Sequence, residues 1–132
     1  MIFIDAGPLL ARYHGRDQYH ERALETWDRV NRLADICVTS NLVLSEVFTL
    51  LGRRMGYAFA AERAQMIYHS DRLTIIRSTQ EEELRALEFF TKFADQNVSF
   101  TDCISFAIMH KRRIHQVFSF DRHFTLAGFQ LI

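Results

Sequence analysis

Apolar residues along this chain fall into two alternating patterns: short unbroken blocks that suit buried strands, and longer stretches where they recur every third or fourth position, as on one helix face. The first block, Ile2-Phe3-Ile4, predicts a buried strand, and Gly7-Pro8 then offers a helix start with proline in its first turn. From Asp17 to Leu33, Ala23, Leu24, Trp27 and Val30 keep helical spacing, with acids early and Arg29 and Arg32 late, as the helix dipole favours. Ile36-Cys37-Val38 predicts a second strand, after which Ser40 or Asn41 can cap a helix reaching about Arg54, before Gly56. A helix is predicted over Tyr57 to Tyr68 and a strand over Leu73 to Ile76. Ser78-Thr79 with Glu81 and Glu82 forms a capping-box pattern that opens a helix to about Phe93. Ser99 to His110 reads as helix, Val117 to Phe120 as a buried strand and Phe129 to Ile132 as an edge strand. Strands alternating with helices predict an α/β fold, a sheet covered by helices.

Composition narrows this picture. With 132 residues, 48% of them hydrophobic, the chain is sized for one domain over 1–132 with a substantial core. One proline and no linker, repeat or low-complexity tract leave no support for a second domain. Lys plus Arg number 16, as do Asp plus Glu, so no overall basic field announces a nucleic-acid partner and polyanion contacts must be local. Cys37 and Cys103 lie in apolar runs without the spacing of a zinc site and read as reduced core residues. No stretch is long enough to cross a bilayer, so no membrane association is expected and cytoplasmic residence is the default.

Four carboxylates stand in places where chemistry and structure compete for an explanation. Asp5 follows the first strand directly, where open α/β sheets place their ligand crevice, although it can equally cap the helix beginning near Pro8. Glu46 shares a stripe with Leu42 and Leu50, flanked by Val43 and Val47, which predicts a carboxylate beside the core. Such a group needs a cation, supplied by a metal or by an arginine such as Arg12 or Arg53, unless it is a helix-edge glutamate that reaches water. Asp102 sits in the first turn of a helix, with Ile104, Ala107 and Ile108 facing the core and Ser105, Phe106 and Met109 on its own side. Ser99 and Asp102 also have capping-box spacing, a role compatible with holding a cation. Asp121 closes the late apolar run and serves either as a turn former or as a second strand-end ligand. If the four converge, repulsion raises their proton affinities, and a divalent cation lets them stay ionised together. Oxygen donors of this kind suit Mg2+ or Mn2+ better than zinc.

The opening IFIDAGPLLA, the LVLSEVFTLL helix with its central acid, the SFTDCISFAIM segment and the closing VFSFDRHF, in this order and spacing, resemble a PIN-domain ribonuclease, specifically the VapC-type toxins of toxin-antitoxin pairs. The resemblance covers nearly the whole chain and implies a PIN-like fold with a central, mainly parallel sheet flanked by helices. By matching position it places the catalytic and metal-ligating acids on Asp5, Glu46, Asp102 and Asp121, with the Ser119 hydroxyl supporting them. Ala6 stands where relatives often carry a hydroxyl, and Asp95 and Asn97 serve as supporting groups or as turn formers. The implied activity is hydrolysis of RNA phosphodiester bonds by water with Mg2+ or Mn2+, leaving 5′-phosphate and 3′-hydroxyl ends. Implied partners are the RNA substrate, a cognate antitoxin whose inserted segment blocks the acidic crevice, and a second copy in a homodimer. A housekeeping nuclease in RNA processing and a catalytically silent PIN-like RNA-binding module are the alternatives within the fold. A magnesium-dependent phosphatase or phosphoacceptor is disfavoured, because Asp5 lacks the nearby acidic partner of the aspartyl phosphatases.

Because an acidic centre repels RNA, phosphate contacts are expected around its rim, from Arg12, Arg16, Arg53, Arg54, Lys111, Arg112 or Arg113. The 111–113 run reads equally as a solvated helix end. The histidines, at 14, 20, 69, 110, 115 and 123, lack a ligand pair at helical spacing and are assigned to surface and turns. Phe100 or Phe124 is expected to border the crevice, the other phenylalanines to fill the core.

Overall fold

The computed structural model describes residues 1–33 and 36–132. Its centre is a five-stranded, wholly parallel sheet in the order β3-β2-β1-β4-β5, formed by β1 (Ile2–Ile4), β2 (Cys37–Ser40), β3 (Leu73–Ile76), β4 (Gln116–Phe118) and β5 (Gln130–Leu131). Ile2 lies opposite Cys37 on one side and Gln116 on the other, and Phe3 opposite Val38 and Val117. Parallel strands need crossovers, and helices covering both faces bury them completely, which is why β1 reads as an unbroken apolar block. All three residues of β1 are buried. The chain builds outward from β1 through β2 to β3, then returns to add β4 and β5 on the other side. The carboxyl ends of β1 and β4 therefore diverge at a switch point, where such sheets open a crevice.

The helices are α1 (Ala6–Tyr13), α2 (His20–Arg32), α3 (Asn41–Met55), α4 (Tyr57–Tyr68), α5 (Gln80–Lys92), α6 (Phe100–Lys111) and α7 (His123–Leu126). Trp27 of α2 donates its indole N–H to the Pro8 carbonyl at 3.2 Å, tying α2 to α1. Three starts carry the caps that the sequence offered: Ser40, Thr79 and Ser99 each accept a hydrogen bond from the amide three residues on. Gly56 ends α3 with φ at 94°, a conformation that costs residues with a Cβ, and so separates α3 from α4. Among the described residues no helix is long and apolar enough to cross a membrane.

Strand β2 runs two residues past the expected Val38, to Ser40, and β5 is shorter than the expected Phe129 to Ile132, while three further departures bear on the site. Helix α2 begins at His20, not Asp17, because Asp17 uses its carboxylate to accept the Tyr19 amide at 2.9 Å and holds a turn instead. Strand β4 stops at Phe118, short of Phe120, because the Ser119 hydroxyl accepts the Asp121 amide at 2.9 Å and folds residues 119–121 off the sheet. Helix α6 buries Ser105, Phe106 and Met109 together with Ile104, Ala107 and Ile108, so it is surrounded on nearly all sides and has no separate aspartate-bearing side beyond its first turn.

Candidate active site

Asp5 leaves β1 with extended backbone and donates its own amide to the Phe118 carbonyl of β4 at 3.1 Å. Its carboxylate makes no helix-capping bond; Oδ2 instead accepts the Ser119 hydroxyl at 2.7 Å. Thr39 secures the same strand end from the other side by donating to the Ile4 carbonyl at 2.7 Å. Asp102 stands in the first turn of α6, its amide donating to Ser99 Oγ at 3.1 Å. Asp121 follows β4, and its Oδ1 accepts the His123 amide at 2.8 Å. The turn-forming role of Asp121 and its approach to the cluster are thus one geometry.

Asp5, Glu46, Asp102 and Asp121 all line one cleft of about 670 Å³ at the carboxyl edge of the sheet. Ligand atoms of Asp102, Asp121 and His123 lie within 4.8 Å of one another. Burial pushes the Asp5 carboxyl up from 3.8 to about 6; the Ser119 hydroxyl and the Ala6 amide oppose this, and the charges of Glu46 and Asp121 add to it. Asp102 is raised further, to about 7, by burial first and then by Asp5 and Asp121, with the Ser99 hydroxyl opposing and Glu46 adding. The chain has thus gathered acids whose charges oppose one another and has set no lysine or arginine ion pair on Asp5, Asp102 or Asp121 among the described residues. Oxygen donors in such an arrangement fit a hard divalent cation. Cys103, beside Asp102, is buried with its thiol pushed up to about 11, which keeps it out of thiolate chemistry.

Several sequence expectations need correction. Glu46 reaches the cleft, but it is exposed and not beside the core; the buried ridge of α3 is Val43, Leu44, Val47 and Leu51. Neither Arg12 nor Arg53 forms an ion pair with it among the described residues. Arg12 stacks over Trp27, 5.0 Å from its ring, and Arg53 lines a neighbouring depression with Glu46. Lys111 and Arg112 pair with Glu81 and Glu82 of α5, at 2.7 and 2.5 Å, and do not face the cleft. Arg16 and Arg113 are exposed and line none of it. Of the proposed rim only Arg54 lines the cleft, 3.8 Å from Asp17, and it is joined there by Arg122. Phe124 is wholly buried, and Phe100 packs on Phe90; the aromatic residues of the cleft are Tyr19 and Phe120. His123, assigned with the other histidines to surface and turns, lies where the turn after β4 enters α7, against Asp121 at 3.1 Å, and its ring nitrogen joins the Asp102–Asp121 group. Its position two residues after Asp121 was the available signal. Asn97 lines the cleft with left-handed backbone, φ 56°, while Asp95 does not line it.

A parallel α/β sheet with acids from β1, α3, α6 and the β4–α7 turn around its switch point defines an acidic-site nuclease architecture. The PIN domain model matches residues 2–130, and the chain belongs to the PIN-domain family. It is 35% identical over 129 residues to the 23S rRNA-specific endonuclease VapC20 of Mycobacterium tuberculosis, in strains CDC 1551 / Oshkosh and ATCC 25618 / H37Rv alike, covering 98% of this chain and 95% of each relative. The crystal structure of Mycobacterium tuberculosis VapC20, described as a sarcin-ricin loop cleaving toxin, superposes with a TM-score of 0.87 at 31% identity, over 98% of this chain and 97% of that one. The VapC-type resemblance and the PIN-like fold read from the sequence are both borne out.

Proposed function

We propose that this chain is a Mg2+- or Mn2+-dependent ribonuclease, working as a single PIN-domain unit and as the toxin of a type II toxin-antitoxin pair. The observation that carries this reading is the meeting of Asp5, Glu46, Asp102 and Asp121 in one cleft, with Asp5 and Asp102 raised by burial and by their neighbours' charge. Asp5, Glu46, Asp102 and Asp121 are the residues that would hold the cation, directly or through water; Asp102 and Asp121, with His123, bring ligand atoms within 4.8 Å of one another. When bound, the cation supplies Lewis acidity to water and to the scissile phosphate. The chain's own part is positional. Ser119 fixes Asp5 from behind and Ser99 anchors the turn that carries Asp102, so the carboxylates face the cleft without having to reorganise. Burial and neighbouring charge favour the protonated forms of Asp5 and Asp102, so a bound cation would displace protons from them. Hydrolysis adds water to phosphorus and expels the 3′-oxygen, giving 5′-phosphate and 3′-hydroxyl ends, so the RNA 2′-hydroxyl is dispensable for chemistry.

The substrate we infer is a ribosomal RNA loop of the kind that VapC20 cleaves, which extends the relatives' activity to this chain. A cognate antitoxin, a homodimeric state and cytoplasmic residence follow from the same toxin reading. The test is incubation of purified protein with total cellular RNA and with a synthetic sarcin-ricin hairpin, with mapping of new ends. Cleavage that needs Mn2+ or Mg2+, stops with EDTA, leaves 5′-phosphates and is lost in Asp5→Asn supports the reading. Undiminished cleavage in Asp5→Asn, or cleavage that continues in EDTA, overturns it.

A further inference from the structure

The cleft contains an aromatic stack that the acid cluster does not use. Tyr19, at the start of α2, and Phe120, in the turn after β4, lie face to face with ring centroids 4.5 Å apart and planes 19° from parallel. Both line the cleft that holds the four carboxylates. Phe120 stands between Ser119 and Asp121, so the stack is joined to Asp121 through the backbone and to Asp5 through the Ser119 hydroxyl. Its ring is bedded on α1 at Gly7, where even a Cβ would come within 3.3 Å of Phe120 Cδ2. The Arg22 guanidinium sits 5.5 Å from the same ring. Tyr19 forms the outer plate and is 37% exposed. Its backbone is held by Asp17, which accepts its amide and faces Arg54 of α3 at 3.8 Å.

An aromatic pair built for the core would be covered; this one includes a ring that is more than a third exposed and lines an acidic cleft. The charge of the cleft makes that useful. Of the two arginines lining it, Arg54 is already turned toward Asp17, so the wall around the acids offers little phosphate attraction and contacts that do not depend on charge add to binding. Stacking of a nucleobase on an aromatic ring is such a contact, and only an unpaired base offers a free face for it. We propose that Tyr19, backed by Phe120, is a stacking platform for one unpaired nucleobase next to the scissile phosphodiester, and that it selects loop RNA over duplex. This rests on the ribonuclease reading and adds to it the chemistry by which the substrate is positioned.

The test is direct binding, in an Asp102→Asn background that leaves the RNA intact, of a sarcin-ricin hairpin whose loop nucleotides are replaced one at a time by abasic residues. One abasic position beside the cleaved bond is expected to weaken binding about 5- to 150-fold, the range of a single base-aromatic stack. Tyr19→Ala and Tyr19→Leu are expected to weaken the intact hairpin by a similar factor and to become indifferent to that abasic position. Tyr19→Trp and Tyr19→Phe keep the ring and should keep both the affinity and the sensitivity, which separates lost stacking from lost folding. Equal dissociation constants for Tyr19→Leu and its parent, or an abasic penalty that persists in Tyr19→Ala, overturn the platform. If wild type cleaves the hairpin while these constants stay equal, the platform alone is wrong. If wild type neither binds nor cleaves it, the sarcin-ricin substrate falls and the platform with it, while cleavage of total RNA decides the ribonuclease reading separately.

Discussion

Two groups of carboxylates in this protein meet opposite fates. At the α5–α6 contact, Glu82 is 2% exposed and pairs with Arg112, while Glu81 pairs with Lys111, whose ammonium holds its carboxyl below the usual range. In the cleft, Asp5 and Asp102 face other acids, and their carboxyls are raised to about 6 and about 7. Where the chain supplies its own cation, an acid serves the fold; where it gathers acids together, the charge is left for something from outside. The contrast is sharper than either site alone, since both lie on the same small domain and both draw on α6. Their consequences for activity and stability should therefore separate under mutation.

The largest effect belongs to the cleft. Asp102→Asn is expected to lower the rate of RNA cleavage by about 100- to 1,000-fold, because it removes a carboxylate that would hold the cation and so weakens the cation's stabilisation of developing charge, measured by single-turnover hairpin cleavage in Mn2+. The same variant should be more stable than wild type when metal-free. The native pKa of Asp102, about 7, lies above its ordinary 3.8, so the folded state binds this proton more tightly than the unfolded chain. Its contribution to stability is greatest below about pH 4 and falls as pH rises through 7. Asp102→Asn removes that fall, and near pH 8 the gain is on the order of 2 kcal/mol, discounted because Asp102 is partly exposed, and readable by urea unfolding in EDTA.

Next comes the opposite pattern. Arg112→Ala leaves Glu82 buried and unpaired, with Oε2 already accepting no hydrogen bond among the described residues. It should cost about 2–4 kcal/mol in urea unfolding, somewhat less than a wholly buried pair, with the cleavage rate of the folded fraction retained. Ser119→Ala sits between the two regions in effect. Losing the 2.7 Å bond to Asp5 and the 2.9 Å bond from the Asp121 amide should weaken Mn2+ binding and cleavage about 10- to 100-fold and cost about 1–3 kcal/mol in urea unfolding. The smallest effect is Lys111→Ala, which removes the exposed bridge to Glu81 and should change neither cleavage nor melting temperature measurably.

How much of this was legible depends on the range of the forces involved. The strands were readable because a doubly covered parallel sheet demands apolar blocks, as in Ile2-Phe3-Ile4. The positions of Asp5 after β1 and of Asp102 in the first turn of α6 carried local signatures, but capping and turn roles explained those equally well, and it was the family resemblance that joined them with Glu46 and Asp121 into one site. Glu46 came from the right helix for an inexact reason: the four-residue stripe with Leu42 and Leu50 is the half-buried flank of α3, and periodicity alone does not distinguish flank from core. Lys111 and Arg112 looked like a free basic run because their partners lie thirty residues away on α5. The Tyr19–Phe120 stack joins two turns far apart in sequence, and α7, four residues long, is too short for periodicity to reveal.

The most direct measurement is a calorimetric titration of Mn2+ into the protein near pH 6.5, run in buffers of different ionisation enthalpy, beside the Asp5→Asn/Asp102→Asn double variant. A shared cation in the acid cleft predicts saturable binding by wild type accompanied by proton release, with both lost in the variant. Equal affinity in the two proteins, or saturable binding with no proton released, would contradict it.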